Sequence, residues 1–354
     1  MNHNTLTKLS DIYNALQDEE SRMIFEKRLL YAISKDKRHL MDMLHILMSQ
    51  TEVHSSIKAL LSWLKQHNSK EVVIFGAGRA GMCMVEILEA YGIEPSCLCD
   101  NNAELHGKER YGKKIISPEQ LKDMKQRACI IVGVDFYKDE IYQQVLSLGY
   151  KPGDIISKDW GYWLGTEKQY FDSQIVAPAE NEVFVDGGAY DGETTLEFFK
   201  WHDGKNARSY LFEPDEENCT KLHEKFANSR ANVTIYGQGL YSETKELRFR
   251  AGIGDSSNIS DEGDVLVQVS SIDEKIKDSK VTFIKLDVEG SERKALEGAK
   301  KTIRENKPKL AISLYHKPED IIEIPAYILE LNREYKLYIR HYTYSNRETV
   351  LYAI

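Results

Sequence analysis

From about residue 5 to 66 the apolar positions recur at helical spacing, as in Ile24, Leu29, Leu30 and Ile33, or Leu40, Met43, Leu44 and Leu47. This predicts a helical N-terminal segment, taken as residues 1–69. From residue 71 the period changes. EVVIFGAGRAG reads as strand, glycine turn and helix, EPSCLCD as a second strand and ACIIVGV as a third, which predicts a small open α/β domain over 70–150. Residues 151–180, containing KPGDIISKDWGYW and APAE, show no clear period and read as a connector. A second α/β unit occupies 181–354. Its apolar runs end one after another in a polar residue: VFVDG at Asp186, RSYLFEP at Glu213, VTFIKLDVEG at Asp287 and KLAISLYH at His316. In a doubly wound parallel sheet the carboxyl ends of the strands share one edge, where ligands bind. Four distant stretches are therefore predicted to bring three acids and an imidazole to one cleft. The closing YKLYIRHY, a polar turn at Ser345 and Asn346, and ETVLYAI predict an antiparallel hairpin added on the far side of the sheet.

Composition narrows the classes. The chain has 354 residues, 42% of them hydrophobic, enough for a real core and for two or three domains. A formal charge of -9, with no long basic run, makes nucleic acid and anionic membrane surfaces poor partners. No apolar stretch approaches a membrane span, and MNHNTLTKLSDIYNALQDEE lacks the basic start and apolar middle of a signal peptide. A cytoplasmic protein is expected. Five cysteines, an odd number with no CxxC pair, argue against a disulfide framework or a zinc site. Cys97 and Cys99 share a face of one strand and read as buried small hydrophobes.

The stretch VFVDGGAYDGETT raises a question of charge. A glycine-rich strand-to-helix turn usually offers backbone N–H groups to an anion, which Asp186 and Asp191 would repel. A guest carrying a sulfonium, an ammonium and a ribose would suit these acids, and S-adenosyl-L-methionine has those features. Glu213 lies about as far beyond the turn as the ribose-binding acid of a dinucleotide fold. Gly187, Gly188 and Gly192 would let the backbone approach the cofactor's amino-acid end, with Thr194 counted among the site residues. The alternative is a structural turn in which Asp191 or Thr194 caps the helix.

VFVDGGAYDGETT, YLFEPDEEN, VSSIDE, FIKLDVEGSE and SLYHKPEDIIEIPAYILEL, ending in YIRHY, resemble in order and spacing the FkbM-type methyltransferases, over about residues 181 to 354. The resemblance implies a class I S-adenosylmethionine-dependent fold and mostly O-methylation of sugars and natural-product hydroxyls. It implies that Asp186, Gly188, Gly192 and Glu213 contact cofactor, and that Asp287 and Glu289 sit at the reaction end of the cleft. Tyr190 stands where the general class I pattern has its third glycine, so the turn near the methionine moiety departs from that pattern. Upstream, ALQDEESRMIFEKRLLYAISKD is similar to the helical lead of some of these enzymes. VVIFGAGRAG with CLCDNNAELHGKERYGKKIISPEQL resembles the Rossmann-like domains of nucleotide-sugar-handling proteins. Gly76, Gly78 and Gly81 flank Arg79 with no acid among them, which suits a pyrophosphate, and Asp100 could take a ribose hydroxyl. A lone GxGxxG fits a structural or docking domain equally well.

Methyl transfer is an in-line displacement, so the protein positions reactants and, for a hydroxyl acceptor, removes a proton. His316 is the candidate base, with Asp287 to orient it; alternatively it marks helix entry before Lys317 and Pro318. His341 is a second candidate, or a packed strand residue or acceptor-binding group, and His202 and His223 read as solvated. Asp287, Glu289, Glu292 and His316 could also form an oxygen-rich Mg²⁺ or Ca²⁺ site, but no spacing specifies a cage and no metal is assigned. Residues 251–264 read as a polar loop with Ser256, Ser257 and Asn258 as acceptor contacts, or as an ordinary exposed hairpin loop. The expected partner is a small-molecule or glycan acceptor, a nucleotide sugar among the candidates; homo-oligomerisation is left open. Two other classes remain: an NAD-dependent oxidoreductase using the first glycine turn, and a noncatalytic nucleotide-sugar-binding protein.

Overall fold

The computed structural model describes residues 3–48, 52–134, 136–158, 160, 169–203, 206–229, 231–250, 258–259, 265–343 and 345–354. The chain divides into two compact units. One holds Ser34–Leu164 with Thr343–Asn346; the other holds Met1–Ile33, Gly165–Tyr342 and Arg347–Ile354.

In the first unit, the strands are β1 (Glu71–Phe75), β2 (Cys97–Cys99), β3 (Glu109–Arg110), β4 (Lys113–Ile116), β5 (Ala128–Val132) and β6 (Ile155–Ile156). They form one sheet in the order β3-β4-β2-β1-β5-β6, parallel except for β3. The fully apolar β5 is buried throughout, as a central parallel strand covered on both faces should be. β6 is too short to register as a period, so this sheet reaches past the expected domain end at 150. Trp160 donates its indole N–H to the Val132 carbonyl at 2.6 Å, still within this unit. Cys97 and Cys99 are buried as expected.

The second unit is built on β7 (Val183–Gly187), β8 (Arg208–Phe212) and β9 (Asn232–Tyr236). A small sheet follows, made of β10 (Gly239–Leu240), β11 (Lys245–Arg250), β12 (Asn258–Ile259) and β13 (Val265–Ser270). Then come β14 (Phe283–Leu286), β15 (Lys309–Ser313), β16 (Leu337–His341) and β17 (Thr349–Ala353). The main sheet has the order β16-β17-β15-β14-β7-β8-β9. β7, β8, β9, β14 and β15 are mutually parallel, and β17 runs antiparallel between β15 and β16. The α/β class, the doubly wound sheet and the antiparallel C-terminal hairpin are as expected. The strand order reverses at β7, which places the ligand edge at the carboxyl ends of β7, β8 and β14. Phe171, Phe184, Phe198 and Phe283 pack beneath the sheet, with Phe184 and Phe198 stacked at 4.5 Å. Phe171 and Tyr170 come from the stretch read as a connector, which the two units share between them.

The expected 1–69 segment is likewise split. Helices His3–Ala15 and Glu19–Ser34 belong with the second unit, because they close its open edge. Gln17 donates its backbone N–H to the Leu337 carbonyl at 3.0 Å, and the Ser21 hydroxyl accepts from Ile339 N–H at 2.9 Å. The exposed ladder of β16 is thereby satisfied. Arg340 grips Asp18 with both terminal nitrogens, at 3.2 and 2.7 Å. Helical periodicity specifies an amphipathic face but not which sheet that face covers. No helix among the described residues is long and apolar enough to cross a membrane.

The Asp18 clasp has a pH signature. Burial alone would raise its carboxyl, but hydrogen bonds from Arg340 and Ser21 overcome this and pull it from 3.8 to about 2. Its stabilising effect is therefore complete above pH 3.8 and is lost as pH falls toward 2. Asp18→Asn should lower stability by about 1 kcal/mol at pH 7, allowing for partial solvation. It should also flatten the acid limb between those values. Urea unfolding as a function of pH checks both; an unchanged acid limb would show the clasp to be inert.

Candidate active site

β7 ends in the glycine turn, and the acid that precedes it points down. Asp186 is fully buried and accepts from Lys285 Nζ at 2.9 Å and from Thr195 Oγ1 at 2.7 Å. Lys285 lies opposite Asp186 in the β7–β14 register, and its ammonium also donates to the carbonyls of Gly187 at 3.1 Å and Gly188 at 2.8 Å. Burial would lower the Lys285 pKa, but the charges of Asp186 and Asp287 raise it, so the ammonium persists. Gly188 has φ +75, and a Cβ there would lie 1.9 Å from the Asp287 carbonyl oxygen. Only glycine allows β7 and the end of β14 to approach so closely. Tyr190, at φ +48, takes the left-handed conformation without being glycine and stands 58% exposed.

β8 delivers Glu213, 6% exposed, to the same edge. Its Oε2 accepts from Tyr190 N–H at 2.9 Å and its Oε1 from Asp215 N–H at 3.0 Å. Burial raises its pKa, and these backbone donors partly offset that. β14 delivers Asp287, whose Oδ1 accepts from the Tyr315 hydroxyl at 2.9 Å and Oδ2 from the Tyr170 hydroxyl at 3.0 Å. Burial opposes its ionisation, but His316 and Lys285 hold its pKa below the usual value.

His316 follows β15 and sits among carboxylates. Its Nδ1 is 2.9 Å from Glu292 Oε1, and its Nε2 is 3.4 Å from Glu289 Oε2 and 3.6 Å from Asp287 Oδ1. Burial works against the charged ring, but Glu292, Asp287 and Glu289 raise its pKa to about 9. The expected general base is thus an imidazolium at neutral pH, a proton donor rather than an acceptor. Its place at a helix entry also holds, since the Lys317 N–H donates to Asp320 Oδ2 at 3.0 Å.

Residues 186–344 match the family described as the methyltransferase FkbM domain. This stretch is an FkbM-type methyltransferase domain. Residues 68–156 match a second family, described as C2185-like, N-terminal. The crystal structure of methyltransferase FkbM from Methylobacillus flagellatus KT is similar to the chain at 22% identity. The match covers 86% of this chain and 99% of that one with a TM-score of 0.51, and establishes likeness of fold. Fibrillarin from Aeropyrum pernix, solved with bound S-adenosyl-L-methionine, matches at 12% identity over 50% of this chain and 67% of its own, TM-score 0.32. UDP-D-quinovosamine 4-dehydrogenase from Vibrio fischeri matches at 21% identity over 23% and 75%, TM-score 0.20. Neither of these two likenesses is close enough to argue from. No curated protein matches the sequence.

The methyltransferase domain thus gathers Gly187, Gly188, Gly192, Glu213, Asp287 and His316 at one sheet edge, with Asp186 beneath it. Thr194 is half-buried; its neighbour Thr195 is the threonine that reaches Asp186. Asp191 accepts from Glu193 N–H at 3.1 Å, a local cap. His341 is buried in β16 against the Thr349 hydroxyl at 2.7 Å, a packed strand residue. His202 is buried rather than solvated: it bonds the Ala179 carbonyl and stacks on Phe198. His223 is exposed. Ser256 and Ser257 lie outside the described residues; Asn258 belongs to β12, paired with β11. Sequence reasoning missed Lys285, although a lysine inside the apolar run VTFIKL is a visible signal for a buried partner. It also missed Tyr170 and Tyr315, and the buried Arg28, whose guanidinium feels Tyr315 while burial lowers its pKa.

The first unit carries a related turn. Gly76, at φ +120, and Gly81 pack so tightly that a Cβ on Gly81 would lie 2.0 Å from the Gly76 carbonyl oxygen. Gly78 and Arg79 are exposed at the start of the helix Arg79–Ala90. Asp100 accepts from Ala77 N–H and Asn102 N–H, both at 2.8 Å.

The Asp186–Lys285 pair predicts its own mutational behaviour. Removing one partner strands the other charge in a dry site, so Lys285→Met should destabilise the domain by about 3 to 5 kcal/mol. Adding Asp186→Asn to it should recover a large part of that loss. Equilibrium unfolding of the two single variants and the double variant tests this; additive losses would mean the two side chains are not energetically coupled.

Proposed function

We propose that the protein transfers a methyl group from S-adenosyl-L-methionine to a hydroxyl of a sugar, glycan precursor or natural product. The observation that carries the reading is Glu213, a buried carboxylate at the β8 end that is tied to the glycine turn through Tyr190 N–H. Each carboxylate oxygen uses one lone pair on a backbone donor and keeps capacity for a ribose hydroxyl. Asp287, an acceptor kept ionised at the next strand end, suits an ammonium. When bound, the cofactor supplies a methyl carbon already activated by its sulfonium.

The chain's own residues orient and ionise. Tyr170 and Tyr315 fix the Asp287 carboxylate, and Lys285 fixes the turn, so the two halves of the cleft are held before any guest arrives. With His316 already protonated, the acceptor's proton goes to a carboxylate of the cluster, of which Glu289 is the most open.

Calorimetric titration with S-adenosylhomocysteine, NAD(H) and UDP-sugars separates this reading from an oxidoreductase or a binding protein. Glu213→Ala should weaken S-adenosylhomocysteine by about 1.5 to 3 kcal/mol, as loss of charge-assisted hydrogen bonds would. Wild-type affinity in that variant would remove the basis of the reading.

A second reading concerns the first unit, where Asp100 ties its glycine turn as Glu213 ties the other. With Arg79 at the helix start and no acid in the turn, we propose that it binds the diphosphate of a nucleotide-sugar acceptor. In hydrogen exchange on the full chain, a UDP-sugar should protect residues 76–81, and Arg79→Glu should abolish that protection. If nucleotide sugars, nucleotides and NAD(H) all leave the segment unprotected, the unit is a structural module.

A further inference from the structure

The carboxylate cluster beside Asp287 holds more acceptor capacity than its protein donors use. Asp287 follows β14, Glu292 opens the helix Glu292–Glu297, and His316 follows β15. One ligand-type atom from each lies within 4.8 Å of the other two. Glu292 is wholly buried. Its Oε1 accepts from the backbone N–H of Val288 at 2.8 Å and Gly290 at 3.3 Å, while its Oε2 meets no donor among the described residues. His316, with a side chain only 10% exposed, lies close to three carboxylates, yet neither ring nitrogen makes a directed hydrogen bond. Leaving a carboxylate oxygen and two ring nitrogens buried without directed partners is costly. A cation at their centre would displace the ring proton of His316, which the same carboxylates otherwise hold, and satisfy the group together.

We propose that Asp287, Glu292 and His316 bind one divalent first-row transition-metal ion, with Mn²⁺ as the representative. One imidazole nitrogen with two carboxylates is a donor set for such an ion rather than for Mg²⁺ or Ca²⁺, which prefer oxygen throughout. Three protein ligands leave coordination positions for water or a substrate oxygen. The site shares Asp287 with the methyl-transfer reading and its role rests on that reading, with Asp287 turned to the cation rather than to the cofactor's ammonium. An acceptor hydroxyl bound to the cation ionises more readily and gives its proton to Glu289 or solvent. The resulting alkoxide forms the oxygen–carbon bond as the carbon–sulfur bond breaks, and the sulfonium leaves as a neutral thioether. Sequence spacing could not show this site, because His316 lies far from Glu292 along the chain and only the adjacency of β14 and β15 joins them.

The test uses full-length protein stripped with chelator and titrated with MnCl₂, following the free Mn²⁺ signal by electron paramagnetic resonance. One equivalent per chain is expected, with at least tenfold weaker binding in Glu292→Gln and in His316→Ala. Absence of stoichiometric binding, or equal binding in both variants, overturns the proposal. So does Mg²⁺ competing as well as Zn²⁺ at equal concentration, since the histidine would then play no part. Should either variant fail to fold, anomalous scattering at the manganese edge from wild-type crystals soaked in MnCl₂ decides. Density among the three side chains supports the site, and density elsewhere or none rejects it. S-adenosylhomocysteine titration in chelator keeps the two readings separate: cofactor binding without Mn²⁺ binding sinks the metal alone, and the reverse sinks the methyl-transfer reading alone.

Discussion

A lysine ammonium beneath a glycine turn organises the methyltransferase domain. Lys285 reaches across from β14 to Asp186 and holds the carbonyls of Gly187 and Gly188. Those contacts fix the end of β7 against the end of β14, and the left-handed Gly188 lets the two backbones meet without a Cβ between them. They also resolve the apparent conflict of an acid within a glycine turn. Asp186 is neutralised from below and Asp191 is occupied as a local cap. The negative charge left at the sheet edge therefore comes from Glu213 and Asp287, one strand away on either side.

What could be read from sequence followed from side chains that announce their own surroundings. Apolar runs ending in Asp186, Glu213 and Asp287 specified buried parallel strands and their ligand edge, because a core strand tolerates polarity only where it leaves the sheet. What could not be read depended on partners distant in the chain. The proton affinity of His316 is set by Glu292 and Glu289, which reach it only because the loop after β14 folds back beside the end of β15. Tyr170 lies in a stretch with no period, yet it donates to Asp287. Thr194 and Thr195 are equivalent as composition; helical phase alone decides which one points at Asp186.

The two glycine turns show how far such a motif can be trusted. In each unit an acid at the end of the second strand accepts one backbone N–H from the glycine turn and another from two residues further along: Asp100 from Ala77 and Asn102, Glu213 from Tyr190 and Asp215. The arrangement serves the fold before it serves any ligand, since it ties the first crossover to its neighbour. An acid at that position is consequently evidence of a switch point, and chemistry has to be argued from what else stands at the edge.

At the edge of the methyltransferase domain, what else stands is an imbalance of charge. Lys285 cancels Asp186, and the tyrosine hydroxyls satisfy Asp287 without neutralising it. His316 is the one imidazole shared among Asp287, Glu289 and Glu292, and Glu292 keeps an oxygen with no donor among the described residues. Burial has already pushed Glu289 up to about 7, so further protonation is one way for the cluster to shed charge. Binding positive charge is the other, and it leaves the carboxylates ionised.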